Sequence, residues 1–181
     1  GLTAGLFEEC GRYLGFRFFL QKELSWQNGV SFGIGHGGIE AVSLVGLTYI
    51  NNLVLSIMIN NGSYDAVVSS QIGSETAAMI KDYLINASPY LFLLGGVERL
   101  LTIVIQIALS LIVLYGVINK KFRFVLYAIL LHTLINAPAV ILGQLGVSVW
   151  LIEIIILIMS IAAFIWIKKS RELLRGATIK V

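Results

Sequence analysis

Charge is what this sequence has least of. Only 13% of its 181 residues are Asp, Glu, Lys or Arg, against about 25% in soluble domains. With 57% hydrophobic residues and a mean hydropathy of +0.89, that shortage excludes an ordinary water-soluble domain. A single cysteine, Cys10, excludes an internal disulfide. No repeat and no low-complexity tract is present. The opening stretch is no signal peptide, because Glu8, Glu9 and Arg12 interrupt its apolar region. The formal charge of +3 does not point to nucleic acid, and no nucleic-acid partner is expected. What remains is an all-α, polytopic transmembrane helical bundle whose surroundings are membrane lipid.

Five spans are expected, at about 1–20, 27–50, 91–118, 123–144 and 147–167. The second is apolar enough to run on towards Ile59, and Pro89 opens the third. Basic residues set the orientation. Arg17 and Lys22 follow the first span, Lys120, Lys121 and Arg123 follow the third, and Lys168, Lys169, Arg171, Arg175 and Lys180 follow the fifth. These places alternate, so all three are expected on the cytoplasmic side. A bundle of residues 1–167 with a cytoplasmic basic tail at 168–181 follows. The same alternation puts Gly1 outside, and a further span upstream is expected. The connection at about 60–90 then lies outside. There Ser74 is expected to cap a short helix whose apolar face (Ala77, Met79, Ile80, Tyr83, Leu84) lies on the membrane surface.

The few polar residues inside the spans share one depth. At 1.5 Å per residue from the cytoplasmic ends, Glu8 and Glu9 stand about 17 Å up, His36 and His132 about 14 Å, Gln106 about 18 Å, and Glu40 and Asn136 about 20 Å. The hydrocarbon core is about 30 Å thick, so all fall near its middle. Ionisable groups there are costly and mark function. Arg12 is one turn from Glu8 and is expected to pair with it. Two acids in a low-dielectric medium do not both ionise cheaply, which suits acid–base work on water. Glu40 shares a face with His36, to orient it or to pair with Arg12. Asn136 shares a face with His132. Glu98 and Arg99 lie nearer the outer end, as a structural pair. Gly29, Gly33, Gly35, Gly37 and Gly38 let a neighbouring helix or an extended substrate approach the second span closely.

The order Glu8-Glu9-x-x-Arg12, Phe32-x-x-x-His36, His132-x-x-x-Asn136 resembles the three motifs of the CPBP superfamily of intramembrane proteases, which includes the CAAX-prenyl endopeptidases. The fuller wording, Gly1 to Glu9 with Phe32-Gly-Ile-Gly-His-Gly-Gly-Ile-Glu-Ala41, resembles the YhfC family of bacterial intramembrane proteases, related to PrsW-type proteases. The resemblance implies peptide-bond hydrolysis on a membrane-embedded or membrane-adjacent peptide, in a bacterial cytoplasmic membrane. Carried over, Glu8 or Glu9 activates water with His36, while His132 and Asn136 support the oxyanion or hold the water. Arg12, Glu40, Arg99 and Gln106 support them. Two mechanisms stand open. In one, a glutamate polarises water without a cofactor. In the other, zinc is held by Glu9, His36 and His132. In relatives, Glu-Arg on the third span is followed seven residues on by His; here Glu98-Arg99 is followed by Gln106. That departure keeps a non-catalytic scaffold as an alternative, with a proton-coupled transporter behind it.

Overall fold

The computed structural model describes residues 1–175, with the backbone alone at Pro138 and Ala139. Lys180, expected in the basic tail, lies outside the described residues. Among the described residues there is no strand. Eight α-helices follow in order: α1 Leu2–Leu14, α2 Trp26–Ala41, α3 Leu47–Asn60, α4 Tyr64–Ile72, α5 Ser74–Asn86, α6 Pro89–Ile118, α7 Arg123–Gln144 and α8 Val149–Leu173. Wider π-type turns continue α1 through Gly15–Phe19 and join α2 to α3 through Val42–Gly46. The fold is therefore all-α and polytopic, as expected.

Among the described residues, four helices are long and apolar enough to cross a membrane: Trp26–Asn60, Pro89–Ile118, Arg123–Gln144 and Val149–Leu173. The second span thus runs on past Asn51 and Asn52. The expected first span also forms a helix, with Glu8, Glu9, Arg12 and Arg17 along it, and it is not among these four. The last helix continues through Leu173, so the start of the expected basic tail is helical.

The chain forms two compact units, residues 1–38 with 100–181, and residues 39–99. In the first unit, α1 packs on α7, and α7 on α8. Its core centres on α6, where Leu111, Val113 and Leu114 are fully buried with Val125 and Ala128 of α7 and Phe16. Three glycines one turn apart seat α2 on α6. A methyl group added at Gly33 would stand 2.5 Å from the Ile107 Cα, at Gly37 3.1 Å from the Ile103 Cα, and at Gly29 2.6 Å from a Leu114 methyl. Gly35 and Gly38 have nothing within 4 Å. So three of the five expected small positions bring a helix close and two do not.

Two contacts involve the basic stations of this unit. Arg17 lines a small pocket with Lys120 and Lys121. The Trp26 indole donates to Ser170 Oγ at 3.1 Å, and Arg171 lies over its ring. Along α6, α7 and α8 runs a cavity of about 730 Å³ walled by apolar side chains, among them Leu109, Leu131, Met159 and Trp166.

In the second unit, residues 60–90 hold two short helices where one was expected. Gly73, at φ 84°, separates them and caps α5. Ser74 is therefore the first residue of α5 rather than its cap. Ala77 of α5 is buried against Tyr64 and Val68 of α4, and Tyr64 donates its hydroxyl to the Ala77 carbonyl at 2.9 Å. Met79 and Tyr83 of the expected apolar face stay exposed.

Candidate functional site

Helix α1 carries both acids and the arginine, and a glycine sets its distance from α7. A Cβ at Gly5 would lie 2.9 Å from Thr133 Oγ1 and 3.0 Å from the Ile129 carbonyl. Without one, the two backbones come close and Glu9 meets His132: Glu9 Oε1 lies 2.7 Å from His132 Nδ1. Glu8, about 100° further round the helix, meets a different histidine, and its Oε2 lies 2.8 Å from His36 Nε2 on α2. Each acid thus has its own imidazole.

Burial separates the two pairs. The side chains of Glu9 and His132 are 0% and 2% exposed, those of Glu8 and His36 28% and 23%. The inner pair is sealed and the outer pair is open to a visiting molecule. They meet at Glu8 Oε2, which stands 3.7 Å from His132 Nε2 and 3.5 Å from Gln106 Nε2. The second oxygen of the inner acid, Glu9 Oε2, is buried without a hydrogen-bond partner among the described residues.

Arg12 sits beneath both acids, fully buried. It is 3.5 Å from Glu9 and 4.0 Å from Glu8, so the expected Glu8 partnership is the looser of the two. Its tight bonds run elsewhere. Nη2 donates to Gln106 Oε1 at 2.7 Å, and Nη1 donates to the Gln106 carbonyl at 2.9 Å and to Ser110 Oγ at 3.2 Å. Ser110, in turn, donates to the Gln106 carbonyl. Sequence reasoning missed Ser110. Its signal was available: it stands one turn beyond Gln106 on the same face of α6.

Other expected site residues are placed differently. Asn136 is half-buried on α7, one turn beyond His132, and its side chain makes no hydrogen bond among the described residues. Glu40 has Arg99 as an ion-pair partner, at 3.7 Å. Arg99 also pairs with its neighbour Glu98, as expected of a structural pair. Phe32 stacks parallel to His36 with ring centres 6.4 Å apart. The set expected to hold zinc, Glu9, His36 and His132, does not bring its donor atoms within 4.8 Å of one another. Each imidazole is instead engaged by its own carboxylate.

The profile of the family described as YhfC intramembrane metalloprotease matches residues 1–173. The chain belongs to the YhfC family. It is 41% identical over 173 residues to the uncharacterized membrane protein YhfC of Bacillus subtilis (strain 168), a match covering 94% of this chain and 67% of that protein. No solved structure matches. Membership agrees with an integral membrane protein and with four helices able to cross a bilayer. Within this YhfC chain, the resemblance motifs on α1, α2 and α7 supply both acids and both histidines of the cluster. The clamp on Arg12 comes from α6, outside those motifs.

Proposed function

We propose that this chain is an intramembrane endopeptidase of the CPBP type that hydrolyses a peptide bond of a membrane-embedded or membrane-adjacent peptide. One observation carries the reading: a carboxylate and an imidazole 2.8 Å apart, both partly exposed, inside the helices of a membrane protein. Glu8 takes a proton from water as it attacks the scissile carbonyl. His36 orients Glu8 by donating to it. The 3.7 Å between Glu8 Oε2 and His132 Nε2 is more than a direct hydrogen bond and fits a bridging water. Arg12 offsets the charge of the two acids in a medium where unbalanced charge is costly. Asn136, one turn along α7, is free to bind the substrate carbonyl.

The family description includes a metal. The three residues expected to hold one do not fit it as placed, because Glu9 Oε1 is occupied by His132 Nδ1 and His36 Nε2 by Glu8. No step is derived through a metal. Gln106, where relatives are expected to have histidine, clamps Arg12 through two acceptors, a task its amide performs without loss. It supports a built site and weighs against a decayed one. The basic end of the first unit is assigned to the cytoplasm of a bacterial cell by the excess of Lys and Arg there.

The test is cleavage of a membrane-peptide library by purified protein, with metal content measured on the same samples. Glu8→Gln and His36→Ala are each expected to lower kcat by about 10²–10⁴-fold, the range for loss of a positioned acid or base. Full activity in both variants would overturn the reading. About one zinc per chain, lost in His36→Ala, would replace the glutamate mechanism with a metal one.

A further inference from the structure

The protein has two histidines in all, and each meets a carboxylate through a different ring nitrogen. His36 uses Nε2, 2.8 Å from Glu8, and His132 uses Nδ1, 2.7 Å from Glu9. A neutral imidazole carries one N–H, and the nitrogen facing a carboxylate is the one that keeps it. From this we infer that the two histidines are held as opposite tautomers, and that Glu9 is the positioning residue that sets His132 in the Nδ1–H form. The inference rests on the peptidase reading only for its catalytic meaning.

That meaning is specific. With its proton on Nδ1, His132 turns a bare Nε2 lone pair towards Glu8 Oε2. Two acceptors 3.7 Å apart repel unless a donor lies between them, and a water molecule is a double donor of the right size. His132 is therefore an acceptor that holds the attacking water. It is not a donor to the oxyanion, and of the two roles the resemblance left open for it, the geometry selects one. The donor role falls to Asn136.

Glu9 is placed for this task. It is fully buried and touches no solvent, so it cannot itself reach a substrate. Its Oε1 serves His132, with Arg12 beside it, and its Oε2 has no hydrogen-bond partner among the described residues. The arrangement matches the general pattern in which a buried carboxylate fixes the tautomer and direction of a working imidazole.

The test is nitrogen-15 NMR on histidine-labelled protein in detergent micelles. Ring nitrogens with and without a proton resonate far apart, and His36→Asn assigns the two sets. The expected result is one imidazole protonated at Nε2 and one at Nδ1. Glu9→Ala should abolish the Nδ1–H signal of His132 and leave His36 unchanged. Glu9→Gln, whose amide carbonyl also accepts, should retain it, and it remains a valid test if the alanine variant does not fold. Cleavage by Glu9→Ala should fall through kcat, with KM little changed. His132 protonated at Nε2 in the wild type, or a signature insensitive to Glu9→Ala, would overturn the inference. Because no substrate is needed, opposite tautomers in an inactive protein would sink the peptidase reading and leave this one standing.

Discussion

Glu8 and Glu9 are neighbours in sequence with separate surroundings, and the helix explains why. A rotation of about 100° per residue sends one acid to α2 and the other to α7. The pairing of acids with histidines was therefore not legible: both histidines were visible as intramembrane residues, but which acid met which depended on how α1 sits between two helices. Gln106 was visible too, as a polar residue at the common depth. That it binds Arg12 through both its side chain and its carbonyl follows only from the turn of α6 against α1. Gln106→Ala is expected to remove one acceptor from a buried guanidinium and to lower stability by about 1–3 kcal/mol. Denaturant unfolding in detergent measures it. Ser110→Ala, which leaves both Gln106 acceptors in place, should cost less.

Helix boundaries were the most legible feature at the next scale. Arg123–Gln144 coincides with the expected fourth span, because Lys120, Lys121 and Arg123 bound it at one end and Gly143, Gln144 and Gly146 interrupt the apolar run at the other. The helix α4 was missed, since Asn60-Asn61-Gly62-Ser63 read as the start of a loop and its own pattern is weak. The cap of α5 was misplaced by one residue because Gly73 already turns the chain at a positive φ. The glycines of α2 test the packing at this scale. Gly33→Ala would drive a methyl into the Ile107 Cα, and is expected to destabilise by about 1–3 kcal/mol through overpacking. Gly35→Ala, with nothing within 4 Å, should be neutral or stabilising within about 1 kcal/mol, the helix preference of alanine over glycine. Thermal unfolding of the two variants side by side checks the pair, and equal losses would contradict the α2–α6 contact.

Class and membrane character are properties of the whole chain, and composition alone carried them. The basic residues carry the expected orientation, and in the first unit Arg17, Lys120 and Lys121 line one pocket while Arg171 lies over Trp26. Reporter fusions at Lys121 and Arg175 are expected to report the cytoplasm, and one at Gly73 the opposite side. A cytoplasmic signal at Gly73 would overturn the assigned orientation.

The burial of Glu9 and Arg12 bears on how the protein is made. Helix α1 carries charges that each cost about 2.5–3.5 kcal/mol to insert at the centre of a lone helix. The groups that satisfy them, on α6 and α7, leave the ribosome more than ninety residues later. Until then α1 is a poor candidate for lateral release into lipid. It has to wait in the translocon or at the membrane surface, and enter only when Gln106 and His132 have arrived. Biogenesis of this chain is thus tied to its site: a nascent chain stopped before α6 should leave α1 accessible to protease, and release past α7 should protect it.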